Sequence, residues 1–236
     1  VVDGIAHILG GIDHLLFLVL LVLPMRRLAP IVGTVTAFTV AHSITLVGAS
    51  LGLAPDAPWF PPLVEVLIAA SIVAMAAENI LGARLERRWV LAFGFGLVHG
   101  FGFAFALREQ LQFAGGHLLS ALAAFNAGVE LGQLGVLVVL VPAVWLAWRA
   151  GVPERGGVML ASAVVAHSAW HWMTERWAVL RAYPRVWPTM DAALGATVLQ
   201  LLLLAAVAWG AGQLLAPLLR RFGAIERSAR REIALE

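Results

Sequence analysis

The chain has no cysteine, no lysine and a single tyrosine, and only 13% of its residues are charged. The absence of cysteine excludes disulfides, thiolate metal sites and thiol nucleophiles, so any transition-metal site must draw on histidine, carboxylate or methionine. The absence of lysine leaves arginine as the only basic residue type. The pI near 10.3 comes with a formal net charge of only +2, and the arginines stand at the ends of apolar runs. They orient a chain in a membrane rather than form a patch that grips phosphate, and nucleic acid is not an expected partner. What is abundant is apolar surface: 61% of 236 residues, with a mean hydropathy of +0.89. One soluble core cannot hide so much, and the lipid bilayer is the expected surrounding.

A spanning helix needs about 20 mostly apolar residues. Reading apolar runs against their Arg, Pro and Gly breakers predicts an all-α polytopic bundle of seven spans: Gly4 to Leu23, Ile31 to Leu53, Pro62 to Leu81, Trp89 to Leu107, Leu118 to Trp148, Gly157 to Thr174 and Asp191 to Leu215. The fifth is long, and Pro142 is expected to kink or shorten it. The sixth is short and carries two histidines; without it the count is six. Residues 1–219 then form the membrane domain and 220–236 an Arg- and Glu-rich cytoplasmic tail.

Arginines cluster after spans one, three, five and seven, as Arg26 and Arg27, Arg84 to Arg88, Arg149 and Arg155, and Arg220 to Arg231. The positive-inside rule therefore predicts an outer amino end and a cytoplasmic carboxyl end. Tryptophans near the span ends read as an interfacial belt. Glycines of the fourth and fifth spans, including Gly94, Gly96, Gly100, Gly102, Gly128 and Gly132, read as points of close helix packing.

The spans enclose a short set of ionisable residues: His7, Asp13, His14, His42, Glu65, Glu78, His99, Glu130, His167 and His171. No arginine falls among them, so the carboxylates are expected to lack a buried cation and to need a proton, water, histidine or metal. On one continuous helix His7 and His14 share a face across Gly10 and Gly11, with Asp13 about 100° to the side. His167 and His171 are spaced i, i+4, which brings two rings to one ion, and Glu175 continues their stripe. Ser71 with Glu78, and Asn126 with Glu130 and Gln133, make further polar stripes. At about 1.5 Å of rise per residue the six histidines fall between the outer surface and the midplane, with Glu78 apart toward the cytoplasm.

Two chemistries fit such a set. One is a divalent metal site built by His7, Asp13, His14, His42, His99, His167 and His171. The other is a proton relay through histidine and glutamate. His42 or His99 taken alone can equally be a hydrogen-bonded core residue, and His117 reads as an interfacial or capping residue. No GxSxG, HExxH or phosphate-binding glycine loop occurs. Imidazole and carboxylate suit nickel, cobalt, zinc and iron alike.

The segments HILGGIDH, TAFTVAHSITL, VEVLIAASIVAMAAEN, FGLVHGFGFA and FNAGVELGQL resemble the HupE/UreJ family of bacterial membrane proteins, and its second group most closely. The first-group signature HPxxGxDH maps onto His7, Gly11, Asp13 and His14, with Ile8 in the place of proline. The resemblance implies a nickel or cobalt permease, or an accessory protein supplying metal. It also implies that an extracytoplasmic domain can precede the membrane part, which would suit a sequence opening at Val1. A rival by looser analogy is an intramembrane zinc-type hydrolase, in which Asp13 or Glu130 would take a proton from water.

Overall fold

The computed structural model describes residues 1–55, 57–111 and 117–183. The predicted seventh span and the tail lie outside the described residues. Within them the chain is helical, without a strand: α1 (Val2–Gly10), α2 (Ile12–Val22), α3 (Leu28–Ser50), α4 (Phe60–Gly82), a short 3-10 turn (Leu85–Arg87), α5 (Arg88–Leu111), α6 (Leu118–Arg149) and α7 (Glu154–Ala182). Helices α3, α4 and α6 are long and apolar enough to cross a membrane, and α1 with α2 make a fourth such unit. In lipid every backbone group must find its partner inside the protein, which favours helices throughout.

The first predicted span is corrected. It is not one helix, because α1 and α2 meet at 74° across Gly11, whose backbone is extended at φ −84° and ψ 96°. Two adjacent glycines inside an apolar run lower the cost of leaving the helix. A Cβ on Gly11 would crowd His14 Nδ1, the His7 carbonyl and Asp13 Oδ1 at once. The bend therefore folds the two halves of HILGGIDH toward each other around a residue with no side chain. Pro142, by contrast, does not shorten α6, which runs through it for 32 residues. The sixth run is a helix longer than predicted, 29 residues from Glu154 to Ala182.

Glycines set the closest helix approaches. A Cβ on Gly96 would strike the Phe38 carbonyl, and one on Gly100 would strike Thr45 and the His42 carbonyl, so α5 lies directly on α3. Gly4 and Gly128 press α1 against α6 in the same way, with Gly132 facing Ile8. Gly94 meets nothing within 4 Å among the described residues and is not a packing point there. Small-residue contacts of this kind let backbones approach where lipid supplies no hydrophobic drive between helices.

The apolar interior has two main bodies. The larger holds Phe17, Leu20, Leu21, Ile31, Phe38, Ile72 and Met75 among others. The smaller holds Ile8, Leu46, Phe60, Leu122, Phe125 and Val129. The histidines of α1, α2, α3 and α5 lie among rings from both, since His7 stands 5.7 Å from Phe125 and His14 6.1 Å from Phe38.

A polar clamp locks the far end of α2, and it corrects the expectation that no buried cation exists. The Leu20 carbonyl would take its helical bond from residue 24, but that residue is Pro24 and has no N–H. Arg88 Nη2 donates to it at 2.6 Å, and Asn79 Nδ2 at 2.9 Å. Arg88 Nη1 pairs with Glu78 Oε2 at 2.6 Å, Nη2 also reaches Asn79 Oδ1 at 2.8 Å, and Asn79 Nδ2 reaches Ser162 Oγ at 3.1 Å. Arg88 is fully buried. The sequence assigns it to a loop because the run after it is apolar, yet it opens α5 and turns its side chain into the bundle. Glu65 also has a cation, Arg176 on α7 at 3.3 Å, and Arg26 pairs with Glu154 near the other end of α7.

Candidate metal centre

Four histidines from four helices converge. The centroids of the His7 and His14 rings are 4.7 Å apart, His14 and His99 5.4 Å, and His42 lies 6.0 Å from both His7 and His14. His14, His42 and His99 are buried, and His7 is half-buried. His7 and His14 meet because of the bend at Gly11, not because they share a face of one helix. His42 and His99 meet them because Gly96 and Gly100 draw α5 onto α3.

Two overlapping ligand groups result. His7, His14 and His42 can each offer one nitrogen within 4.8 Å of the others, and so can Asp13, His14 and His99 with one atom apiece. His14 belongs to both. Neighbouring groups fix the ring tautomers. Asp13 Oδ1 lies 3.1 Å from His14 Nδ1, and an ionised carboxylate only accepts, so this nitrogen carries the proton and Nε2 keeps its lone pair. Ser71 spends its own hydrogen on the Ile68 carbonyl at 2.7 Å and stands 3.0 Å from His99 Nε2. Ser71 thus accepts from Nε2, and Nδ1 of His99 is left as the free acceptor. Carboxylate or hydroxyl behind an imidazole is the arrangement that orients a metal ligand.

Several ring nitrogens of the cluster have no hydrogen-bond partner among the described residues. His7 Nε2, His14 Nε2, both nitrogens of His42 and His99 Nδ1 are buried and unpaired. Buried polar atoms are rarely orphaned, and leaving one so costs about 1–3 kcal/mol. One of the two His42 nitrogens carries its ring proton, so four rings offer one lone pair each, a set that fits a cation, and the borderline divalent metals are the ions that imidazole suits.

The cluster opens into a cavity of about 390 Å³. His7, Asp13, His14 and His99 form one wall, Ile68, Ala69 and Phe103 the apolar sides, and Glu65, Trp172 and Arg176 the remainder. His42 does not line it and sits behind, fully buried.

The other expected residues fall elsewhere. Glu130 accepts from Thr36 Oγ1 at 2.8 Å, and its Oε2 is buried without a partner, as is Asn126 Oδ1. Gln133 accepts from Thr39 at 2.7 Å in the same α3–α6 contact. Glu78 belongs to the Arg88 clamp. His167 and His171 pair with each other on an exposed face of α7 and join neither ligand group among the described residues. His117 stands at the start of α6.

Three roles were missed in the sequence: Gly11 as a bend, Ser71 as the partner of His99, and Arg88 as a buried cation. The pair of glycines in one apolar run was a signal for the first, and the polar stripe of Ser71 and Glu78 marked the second without its partner.

Helices that satisfy their own backbone around a buried imidazole cluster define a polytopic membrane protein with a candidate metal centre. The chain belongs to the HupE / UreJ protein family, whose pattern matches residues 1–176. No curated protein and no solved structure matches it.

Proposed function

We propose that the protein binds nickel or cobalt inside the membrane and passes it across, or hands it on, as the HupE/UreJ resemblance implies. The observation that carries this reading is the set of four imidazole rings that each keep an unpaired buried nitrogen. An ion entering the cavity meets Asp13, His14 and His99 on its wall. His7, His14 and His42 make the deeper group. Because His14 belongs to both, the ion moves between them by exchanging two ligands while keeping one, which avoids a step with the ion unligated. The arginine pattern supports seven spans with the amino end outside and the carboxyl end in the cytoplasm, and the HupE/UreJ resemblance implies a bacterial inner membrane. In that orientation the cavity faces outward and the Arg88 clamp stands at the inner end.

The test is elemental analysis of purified protein without an affinity tag, paired with nickel and cobalt flux into proteoliposomes. Wild type is expected to retain stoichiometric metal and to conduct it, and His14→Ala to lose both. Protein free of metal after loading and brief dialysis sinks the reading.

A second reading, an intramembrane zinc-type hydrolase, is favoured by the cavity alone. Its volume lies in the range of about 300–1,000 Å³ typical of small-molecule sites, larger than an ion requires. The same histidines would hold a resident ion, which supplies Lewis-acid chemistry when bound. Asp13, on the cavity wall beside them, would accept the proton. Tightly held zinc with no metal flux selects this reading.

A further inference from the structure

The His167 and His171 pair is absorbed by neither ligand group, yet its ring spacing is one that a chelate requires. The two ring centroids lie 4.6 Å apart, almost the spacing of His7 and His14 at 4.7 Å. With nitrogen–metal distances of about 2.0–2.1 Å, two imidazoles bound at about 90° bring their centroids to about 4.5 Å. The i, i+4 spacing on a regular helix holds both rings on neighbouring turns of one face, and α7 is unbroken from Glu154 to Ala182. Neither ring has a hydrogen-bond or charge partner among the described residues.

The pair also has a defined place relative to the cavity. Trp172 and Arg176 line the cavity from α7, and His171 and Glu175 each precede one of them by one residue. One residue is about 100° of helix. The stripe His167, His171 and Glu175 therefore runs beside the stripe that forms the cavity wall, on the exposed side of the same helix.

We propose that His167 and His171 form a second divalent-metal site on the outer face of α7, separate from the four-helix cluster and taking the same class of borderline transition ion. Two imidazoles complete only part of a coordination shell, so water or Glu175 fills the rest. Such a site binds and releases faster than the buried groups and serves to gather ions beside the cavity.

The test uses the full chain in detergent, its affinity tag removed, titrated with copper(II) alone and read by bound-metal stoichiometry and electron paramagnetic resonance. Wild type is expected to take two ions. His167→Gln/His171→Gln is expected to take one, as is His14→Ala/His42→Ala, and the ion left in the latter should show hyperfine coupling from two imidazole nitrogens. His171→Asn alone should weaken the outer ion with no change in the inner one, since one imidazole of the outer pair remains. A second ion that persists in His167→Gln/His171→Gln, or a wild-type protein saturating at one ion which that variant leaves unaltered, overturns the proposal. One ion lost in His167→Gln/His171→Gln and kept in His14→Ala/His42→Ala upholds this site while removing the inner one, so the two readings fail separately.

Discussion

His14 Nδ1 lies 3.1 Å from Asp13 Oδ1, its neighbour in the chain. The contact leaves the opposite nitrogen of His14 buried and unpaired in a ring that stands beside His7 and His42, and it gives the half-buried carboxylate a donor. The pair acts as a unit in which Asp13 sets what His14 presents.

Removing that support should weaken metal binding without abolishing it. Asp13→Ala leaves the three imidazoles of the deeper group in place but frees the His14 ring to rotate and change tautomer. Losses of about 10–100-fold in affinity are usual when a metal-ligating histidine loses its outer partner. Isothermal titration with nickel should show this drop. An unchanged affinity would mean that Asp13 does not orient the site.

Ser71→Ala makes a parallel test on the other wall. His99 would lose the acceptor at its Nε2 and no longer be held with Nδ1 inward. Because His99 belongs only to the Asp13–His14–His99 group, the expected effect is on the rate of metal uptake more than on the affinity at equilibrium. Stopped-flow loading against equilibrium dialysis separates the two.

Gly11→Ala should damage the site while sparing the helices. Its Cβ would crowd His14 Nδ1, the His7 carbonyl and Asp13 Oδ1, so these groups must move apart. Circular dichroism is expected to match wild type, while metal affinity falls at least about tenfold through the displaced ligands. Gly10→Ala is the control, because nothing lies within 4 Å of the position its Cβ would take.

Arg88→Met should be among the most destabilising single changes. It leaves Glu78 without its cation and strips the Leu20 carbonyl of one donor. Breaking a buried ion pair by removing one partner costs about 3–5 kcal/mol. The Arg88→Met/Glu78→Leu double variant should recover part of the loss, since no charge is then stranded. Thermal unfolding in detergent measures both. A double variant no more stable than Arg88→Met would show that the hydrogen bonds to Leu20 and Asn79 outweigh the ion pair.

The membrane class was legible from composition, because length, hydropathy and the need to satisfy backbone groups in lipid leave few architectures. Most members of the candidate cluster were legible as well. His7, Asp13, His14, His42 and His99 stand out as ionisable residues in apolar runs, where each carries a cost that must be met by something. Which of them meet is a different matter. One helix through HILGGIDH would set His7 and His14 on a common face, about 10 Å apart along the axis at 1.5 Å per residue, whereas the 74° bend brings their rings to 4.7 Å. The HxxxH motif, the most familiar chelating pattern in the chain, stands outside the cluster, because α7 presents those two turns away from α4 and the cavity.

Sequence by itself thus determined the medium, the helices and the chemical vocabulary of the site. Those follow from local quantities: hydropathy summed over a run, helical propensity, and the identity of the few polar side chains. The tertiary structure alone decided the bend at Gly11, the burial of Arg88 and the choice of four histidines from seven. Each depends on a contact between residues distant in sequence, such as Gly100 against His42 or Arg88 against the carbonyl that Pro24 leaves free, and no local pattern records which surfaces will be brought together.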